Sequence, residues 1–362
     1  MSILIFTRKV EQEDERAGFF VNWIDEFATK FDKVYVVCLQ KGKHTFTNLN
    51  IEVFSLDQSR IRGKVLRNII RFVRLQSYLI KTLPKVEGIF VHMMPVYVLA
   101  IGILAKIYKK RIFFWYTHSK VDIWLKTTRL FVENYLSASK SGFRLKTKKH
   151  VYITGHAIDE DMFLYPTDRD ILDNVKGIKF LTVGRISPAK NIDKIINIIF
   201  RLKNELEIKV SLDIVGAPAL KSDWDYIKYL RSLVLEKGLE GEVFFRGPKK
   251  YNQLPLIYRS HDIFINMSDT GSLDKAALEA ALSGNVVFTT NHAYRDIFDR
   301  DLSDKLIAED EDDLYKKIKK YITSTDKEEI KNDIKKLQNI VSGHHSLHTT
   351  INKITDIISG RK

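Results

Sequence analysis

The chain has 362 residues, 44% of them hydrophobic, which is enough for about two packed domains. Its single cysteine, Cys38, excludes an internal disulfide and a cysteine-based zinc cluster. The formal net charge of +14 favours a polyanionic partner, but no zinc finger, aromatic RNA-binding motif or basic zipper accompanies it, so we do not expect nucleic acid. No uninterrupted apolar run reaches the roughly 18 residues that a membrane span needs.

The amino-terminal half alternates short apolar runs with amphipathic stretches, which predicts a doubly wound parallel α/β sheet. The predicted strands are 2–6, 34–38, 51–55, 88–92, 111–116 and 151–154. The predicted helices are near 17–30, 63–82, 95–108 and 127–138. Because no charged leader, apolar core and cleavage site precede the first strand, we expect a cytoplasmic protein.

The predicted helix 63–82 lies in a strongly basic segment, since residues 60–85 hold eight Lys or Arg and no acid. A helical projection separates a basic face from an apolar face. The basic face has Lys64, Arg67, Arg71, Arg74, Tyr78 and Lys81, and the apolar face has Leu66, Ile69, Ile70, Val73 and Ile80. The pattern predicts that Arg67, Arg71 and Arg74 contact an anionic membrane, with the protein peripheral on its inner face. The alternative is a core-packed helix whose basic face meets water.

Two histidines stand at strand ends in this half. His118 follows the predicted strand 111–116, and His92 ends the strand 88–92. We expect His118 to project from the carboxyl end of its strand into a cleft between domains, where open α/β sheets bind ligands. A lone histidine at a strand end is otherwise a structural residue more often than a functional one.

A strand and a helix flank two cations in the second half. The apolar run 178–183 predicts a buried strand, Gly184 breaks it, and helical periodicity resumes at Ile192. Arg185 and Lys190 lie on the turn between them, where helix-start amides and two cations would converge on one anion. The sequence therefore predicts a diphosphate site, the alternative being an ordinary βα loop with two surface cations.

A second strand-loop-helix unit follows. The run 262–266 predicts a buried strand, Gly271 and Ser272 let the backbone approach a ligand, and Glu279 lies two turns into the next helix. A carboxylate there can accept hydrogen bonds from a ribose diol, although a lone helical glutamate is more often solvated. The run 286–290 predicts a further strand, so the alternation of strand and helix continues.

These segments resemble glycosyltransferase family 4, the retaining nucleotide-sugar enzymes of the GT-B fold. In that family a strand, Gly-Arg and Lys-Asn hold the donor diphosphate, which match Gly184, Arg185, Lys190 and Asn191. The resemblance implies donor binding by further residues of the second half. These are Gly216, Gly271, Ser272, Leu273, Asp274, Lys275 and Glu279.

The chain departs from the family at the position that contacts the transferred sugar. The family's second glutamate, which binds ribose, aligns with Glu279, but its first glutamate falls on Gly271. Asp274 or Asp269 could substitute for it. On the acceptor side the resemblance implies roles for His118, beside the reacting sugar, for His92, and for Gly18, which stands without the family's usual glycine pair.

The resemblance implies two Rossmann-like domains facing across a cleft. Residues 1–170 would bind the acceptor, with helix 345–362 packing back on them, and residues 171–344 would bind the donor. It implies a retaining hexosyltransferase that moves sugar from a nucleotide diphosphate sugar to a glycan or lipid-linked acceptor, in bacterial-type surface polysaccharide or glycoconjugate synthesis. Asp223 and Asp225 have the spacing of a metal-binding pair, but Arg185 and Lys190 can neutralise the diphosphate, so no metal or cofactor is expected.

Two other functions stay open at this point. A nucleotide-sugar epimerase can share the same pair of sheets. A membrane-associated protein with a degenerate, non-catalytic sugar-nucleotide site is the other, because Gly271 replaces the sugar-reading glutamate.

Overall fold

The computed structural model describes residues 1–59, 61–166, 172, 177–206 and 208–361. The chain forms two compact units. The first unit comprises Met1–Asp159 and His345–Lys362, and the second comprises Glu160–His344. The domain boundary predicted at 170/171 falls within 167–171, which lie outside the described residues.

Each unit contains one parallel sheet. The first has the order β3-β2-β1-β4-β5-β6-β7 and the second the order β10-β9-β8-β11-β12. The strands of the first sheet are β1 (Ser2–Val10), β2 (Lys33–Lys41), β3 (Ile51–Ser55), β4 (Gly88–His92), β5 (Arg111–Trp115), β6 (Asn134–Ser137) and β7 (Val151–Ile153). Those of the second are β8 (Ile178–Val183), β9 (Val210–Val215), β10 (Val243–Gly247), β11 (Ile263–Asn266) and β12 (Val286–Thr289).

Helices cover both faces of each sheet, as parallel strands require. The helices are α1 (Phe19–Ala28), α2 (Lys64–Thr82), α3 (Pro95–Ile107), α4 (Ile123–Thr127), α5 (Glu160–Phe163), α6 (Ile192–Leu206), α7 (Lys221–Glu236), α8 (Leu254–Arg259), α9 (Lys275–Leu282), α10 (Arg300–Leu306), α11 (Glu311–Ser324), α12 (Lys327–His344) and α13 (Leu347–Ser359). Two parallel-sheet α/β units confirm the predicted fold class.

The first sheet has a separate apolar core on each face. On one face, α1 and the last helix, α13, pack together through Phe27, Ile351 and Ile354. Arg111 also donates a hydrogen bond to the carbonyl of Ile358 at 2.7 Å. On the other face, α2, α3 and α4 contribute side chains such as Leu79 to the second core. The last helix therefore belongs to the packing of the first unit.

The helix predicted over 127–138 is wrong. Thr128–Leu130 form one 3-10 turn, and Asn134–Ser137 form β6, which pairs with β5 and β7. Tyr135 on this strand is fully buried, and its hydroxyl lies 2.8 Å from that of Thr128. Burial of this side chain between neighbouring strands outweighs the local helical pattern.

Helix α2 forms as predicted, but its arginine side packs against the first sheet and its apolar side faces outward. Only Leu75, Leu79 and Thr82 are buried. The arginine side lies against the end of β3, where Arg71 Nε donates to the carbonyl of Leu56 at 3.2 Å and Arg74 lies over the Phe54 ring. The apolar side is exposed. The membrane role of these arginines stays a prediction.

Candidate functional site in the second unit

The candidate site lies where the strand order of the second sheet reverses. Strand β8 pairs with β9 on one side and with β11 on the other. The chain leaves β8 toward β9 and leaves β11 toward β12, in opposite directions along the sheet. This divergence opens a crevice at the carboxyl ends of β8 and β11. The loop after β8 carries Gly184 to Asn191, and the loop after β11 carries Met267 to Asp274.

Three contacts hold these two loops together. Asn191 Nδ2 donates to the carbonyl of Met267 at 2.9 Å and to Asp269 Oδ2 at 2.8 Å. The backbone amide of Asp269 donates to the carbonyl of Ala189 at 3.2 Å. Asn191 has a left-handed φ of 48°, which asparagine tolerates better than most residues, and α6 begins directly after it. The amino terminus of α6 is thus fixed beside both loops.

Lys190 is paired with Asp274 across the two loops. Its Nζ lies 2.9 Å from Oδ1 and 2.7 Å from Oδ2 of that carboxylate. Asn266, at the end of β11, also donates to Asp274 Oδ2 at 2.6 Å. The buried hydroxyl of Tyr294 bonds both the backbone amide and the carbonyl of Asp274. Asp274 is therefore held by three residues from other segments of the unit, Lys190, Asn266 and Tyr294.

Arg185, the second predicted cation, is more exposed. Its Nε lies 3.8 Å from Asp223, and 45% of its side chain is exposed. Asp223 itself is buried, where it accepts the backbone amides of Ala219 and Leu220 at 3.1 and 3.0 Å before α7. Asp225 is exposed and lies 3.9 Å from Lys228. Asp223 is thus engaged in capping a helix.

Gly184 and Gly216 bring two strand ends into direct backbone contact. Their φ values are 148° and 142°, and a Cβ on Gly216 would lie 1.8 Å from the carbonyl oxygen of Gly184. A Cβ on Gly184 would lie 3.6 Å from Lys190 Cε. Both positions therefore require glycine, one for space and both for conformation. Gly184, Arg185, Lys190, Asn191 and Gly216 follow the ends of the neighbouring strands β8 and β9, and their donor-binding roles stay predictions.

The loop before α9 brings its predicted donor residues to the same edge. Gly271 has a left-handed φ of 63°, and the carbonyl of Ser272 accepts a hydrogen bond from Asn291 at 2.8 Å. Leu273 is buried. Lys275 begins α9, and its Nζ lies 3.5 Å from Glu279 Oε1.

Glu279 is buried, with 3% of the residue exposed. Tyr258 donates to its Oε2 at 3.1 Å. Oε1 lies 3.5 Å from Lys275 Nζ in an ion pair, and no hydrogen bond of ordinary geometry reaches it from the described residues. Burial raises the pKa of Glu279, and Lys275 and Tyr258 oppose that rise. Burial also raises the pKa of Tyr258, so its phenol keeps the proton that it donates. One carboxylate oxygen is therefore left with unused acceptor capacity.

The predicted residues of the first unit gather at the carboxyl edge of its sheet. His92 ends β4 and pairs in register with Trp115 on β5, and the two rings are stacked at 5.2 Å. Phe20 stacks on His92 at 4.3 Å, which brings His92 next to the start of α1 and thus to Gly18. Gly18 has an ordinary helical φ of −54°, so its conformation does not require glycine.

His118 lies beyond the end of β5 and is exposed. Its Nδ1 accepts the backbone amide of Lys120 at 3.0 Å, and its backbone forms a bridge with Phe143. The backbone amide thereby fixes which ring nitrogen carries the proton. His118, His92 and Gly18 therefore belong to one edge of one sheet.

Comparison with solved structures identifies the architecture. Anabaena HepE in complex with UDP-glucose superposes with a TM-score of 0.72 and 16% identity, covering 99% of this chain and 100% of that one. Sucrose-phosphate synthase from Thermosynechococcus elongatus gives 0.74 and 13%, covering 99% and 98%. The lipopolysaccharide outer core galactosyltransferase WaaB gives 0.67 and 15%, covering 99% and 100%.

The molecule has the GT-B fold. Residues 166–337 match the family model "Glycosyl transferases group 1", which spans nearly all of the second unit. Mannosylfructose-phosphate synthase from Agrobacterium fabrum is 27% identical over 151 residues, 40% of this chain. The aligned segment spans about a third of that relative's length. The second unit of this chain is thus similar to group 1 glycosyltransferase domains over residues 166–337.

Sequence reasoning missed the buried polar residues that hold the candidate site residues in place. Asn266 and Tyr294 fix Asp274, and Tyr258 contacts Glu279. Each is a buried polar residue on a different element, and buried polar groups in proteins are normally hydrogen-bonded. The asparagine that ends the apolar strand β11 was the one local signal. Among the described residues, no group of three or more His, Cys, Asp or Glu is arranged to hold a metal ion.

Proposed function

We propose that the chain is a retaining hexosyltransferase. The second unit would hold a nucleotide diphosphate sugar, and the first would hold a glycan or lipid-linked acceptor. The observation that carries this proposal is the joining of the loops after β8 and β11 around Lys190 at the point where strand order reverses. The group 1 match over 166–337 supports nucleotide-sugar transfer as the reaction class.

The donor diphosphate would lie over Gly184, between Arg185, Lys190 and the amino terminus of α6. A helix amino terminus offers unpaired amides and a favourable dipole to an anion. Glu279 would accept the ribose hydroxyls through Oε1, which is paired with Lys275 at 3.5 Å but accepts no hydrogen bond of ordinary geometry from the described residues. Ser272, Leu273 and Lys275 would border the diphosphate and sugar on the opposite loop.

Catalysis would come from stabilising the leaving group. As the bond to the sugar breaks, negative charge grows on the β-phosphate, and fixed cations stabilise that charge more strongly than the ground state. The acceptor hydroxyl would attack from the same face, and its proton would pass to the departing phosphate. This scheme needs no protein nucleophile and retains the anomeric configuration. His118 would contact the reacting sugar, and His92 and Gly18 would lie on the acceptor side.

We place the reaction in the cytoplasm, with peripheral contact at the inner face of the membrane and surface polysaccharide or glycoconjugate synthesis as its setting. HepE, the structural neighbour, has been crystallised with UDP and with UDP-glucose. A uridine nucleotide is therefore the first donor to test here.

The test is incubation with radiolabelled nucleotide sugars and a membrane extract. Label transferred to lipid or glycan supports the proposal. Isomerised free donor would show an epimerase instead, and donor binding without turnover would show a non-catalytic protein, which the replacement of a sugar-reading glutamate by Gly271 favours among the alternatives.

A further inference from the structure

The outward side of α2 is apolar and exposed. Its exposed large side chains are Val65, Leu66, Ile69, Phe72, Val73 and Ile80, each more than half exposed. They fall within one arc of the helix, since they recur at steps of three and four residues. The buried strip and the arginines occupy the remaining sides.

The neighbouring helices continue this surface. On α3, Val96, Ile103 and Ile107 form an exposed stripe at helical spacing. Gln76 of α2 donates to the carbonyl of Ala100 on α3 at 2.9 Å, so the two exposed sides adjoin. Ile123 and Trp124 on α4, followed by Leu130, extend the surface further. We name these twelve side chains the apolar layer.

The apolar layer is concentrated on one side of the first sheet. Twenty large hydrophobic side chains are exposed among the described residues, and twelve of them belong to this layer. On the other face of the sheet, α1 and α13 contribute none. Scattered apolar side chains are normal on a protein surface, whereas a contiguous set indicates an interaction site.

The charge around the apolar layer is almost entirely positive. Residues 58–130, which span the layer, contain fifteen Lys or Arg and two acids. The acids are Glu87, whose carboxylate accepts the backbone amide of Ser2, and Asp122, whose carboxylate accepts that of Leu125. Lys64, Lys81, Lys106 and Lys109 are exposed on α2, on α3 and just after it. The occupant of this surface must therefore offer both negative charge and apolar contact.

An anionic bilayer surface meets both requirements. Its headgroups attract exposed lysines, and the acyl boundary accepts apolar side chains from helices that lie in the interfacial plane. Nucleic acid would satisfy the charge and leave the apolar side chains in water. No helix in the described part of the chain is long and apolar enough to cross a bilayer.

We propose that the first unit docks in the plane of an anionic membrane through the apolar layer, with the surrounding lysines at the headgroups. The contact is made by the apolar side of α2 and by α3 and α4, and the arginine side of α2 stays against the sheet. The purpose of this contact rests on the proposed function, because a membrane is where a lipid-linked acceptor would be met.

The test is flotation of the full chain with vesicles of phosphatidylcholine and phosphatidylglycerol. The triple variant Ile69→Gln, Phe72→Gln and Val73→Gln should partition onto the vesicles at least tenfold less strongly than the parent. The matched control is Leu49→Gln, Leu235→Gln and Leu256→Gln, three positions outside the layer that are even more exposed, and it should bind like the parent. Because none of the six side chains is buried, circular dichroism should show native folding for both.

Salt separates the apolar contribution from the ionic one. High salt should weaken binding without abolishing it, since apolar contact is not screened. The variant Lys106→Gln, Lys109→Gln and Lys110→Gln should lose most of the preference for anionic over neutral vesicles.

Three results would overturn the proposal. The parent could fail to float, the Ile69/Phe72/Val73 variant could bind as well as the parent, or that variant could convert a dimer to a monomer in sedimentation velocity without any vesicle binding, which would show a second copy as the occupant. Flotation requires no donor, so vesicle binding without sugar transfer would leave the docking surface standing and remove the proposed function alone.

Discussion

Lys190 donates to both carboxylate oxygens of Asp274, so the cation proposed for the donor diphosphate already has an anionic partner. An ammonium has three N–H donors, which leaves one for a phosphate oxygen while the pair persists. Asp274 cannot easily move away, because Asn266 and Tyr294 hold its carboxylate and backbone. A diphosphate binding here must accept the Asp274 charge as a neighbour or displace Lys190 from it.

The first prediction follows from this pair. Asp274→Asn keeps the shape of the side chain and removes a negative charge beside the diphosphate. Affinity for nucleoside diphosphate should therefore rise about fivefold, which is roughly 1 kcal/mol, while the ligand-free protein loses up to about 1 kcal/mol of unfolding free energy because a part-exposed ion pair is lost. Calorimetry and denaturant unfolding measure the two quantities.

The control for Asp274 is Asp225→Asn, the same charge change at an exposed position after the capping residue of α7. It should leave nucleotide affinity unchanged. If Asp274→Asn instead weakens nucleotide binding, the carboxylate assists phosphate binding by orienting Lys190, and competition between the two anions is the wrong description.

The second prediction concerns Glu279. Glu279→Gln should weaken nucleoside diphosphate and nucleotide-sugar binding by about the same factor, roughly tenfold, because both ligands carry the ribose. A residue that reads the transferred sugar would affect only the nucleotide sugar. The matched control is Glu236→Gln, an exposed helical glutamate on α7. Unchanged nucleoside diphosphate affinity in Glu279→Gln would remove this residue from the site.

The same variant carries a pH signature. Burial raises the pKa of Glu279, so the folded state holds this proton more tightly than the unfolded state. Its contribution to stability is therefore greatest below the ordinary pKa of 4.5 and declines as pH rises through the raised value. Nucleotide affinity should fall as pH is lowered through that value, because only the carboxylate accepts both ribose hydroxyls. Glu279→Gln should flatten both dependences relative to the parent.

The third prediction tests the contact between strand ends. Gly216→Ala places a Cβ against the carbonyl of Gly184 and forces alanine into a positive φ. We expect a loss of about 2 kcal/mol or more in unfolding free energy, together with weaker nucleotide binding as the Gly184 loop shifts. Gly241→Ala is the control, because nothing lies within 4 Å of its Cβ. An unfolding free energy equal to the parent's in Gly216→Ala would show that the two loops move apart at little energetic cost.

The alternation of strands and helices was predictable because buried strands and amphipathic helices leave periodic patterns. The resemblance singles out Gly184, Lys190 and Glu279, since their local segments carry the family's order, and their roles stay predictions. The pairing of Lys190 with Asp274 was not, because Asn266 and Tyr294, which fix it, lie on separate elements that only the fold brings together.

The wrong helix at 127–138 and the unforeseen placement of α2 have the same origin. Periodicity separates the two faces of α2 but does not say which face meets the edge strand, and the carbonyls of Ser55 and Leu56 accept hydrogen bonds from the arginine side. Local pattern likewise predicts a helix through Tyr135, whereas burial between β5 and β7 makes that segment a strand. Tertiary surroundings decided both cases.

The fourth prediction tests the central claim most directly, by measuring sugar transfer from the active donor for the parent, Arg185→Ala and Lys190→Ala. Each substitution removes a cation whose contact strengthens as the phosphate leaves, so turnover should fall by at least a hundredfold, about 3 kcal/mol, with the fold intact by circular dichroism. Arg231→Ala, an arginine on α7 that lies over the Phe245 ring, serves as the control and should retain parental turnover. Near-parental turnover in either folded site variant would contradict the assignment of the diphosphate to this loop.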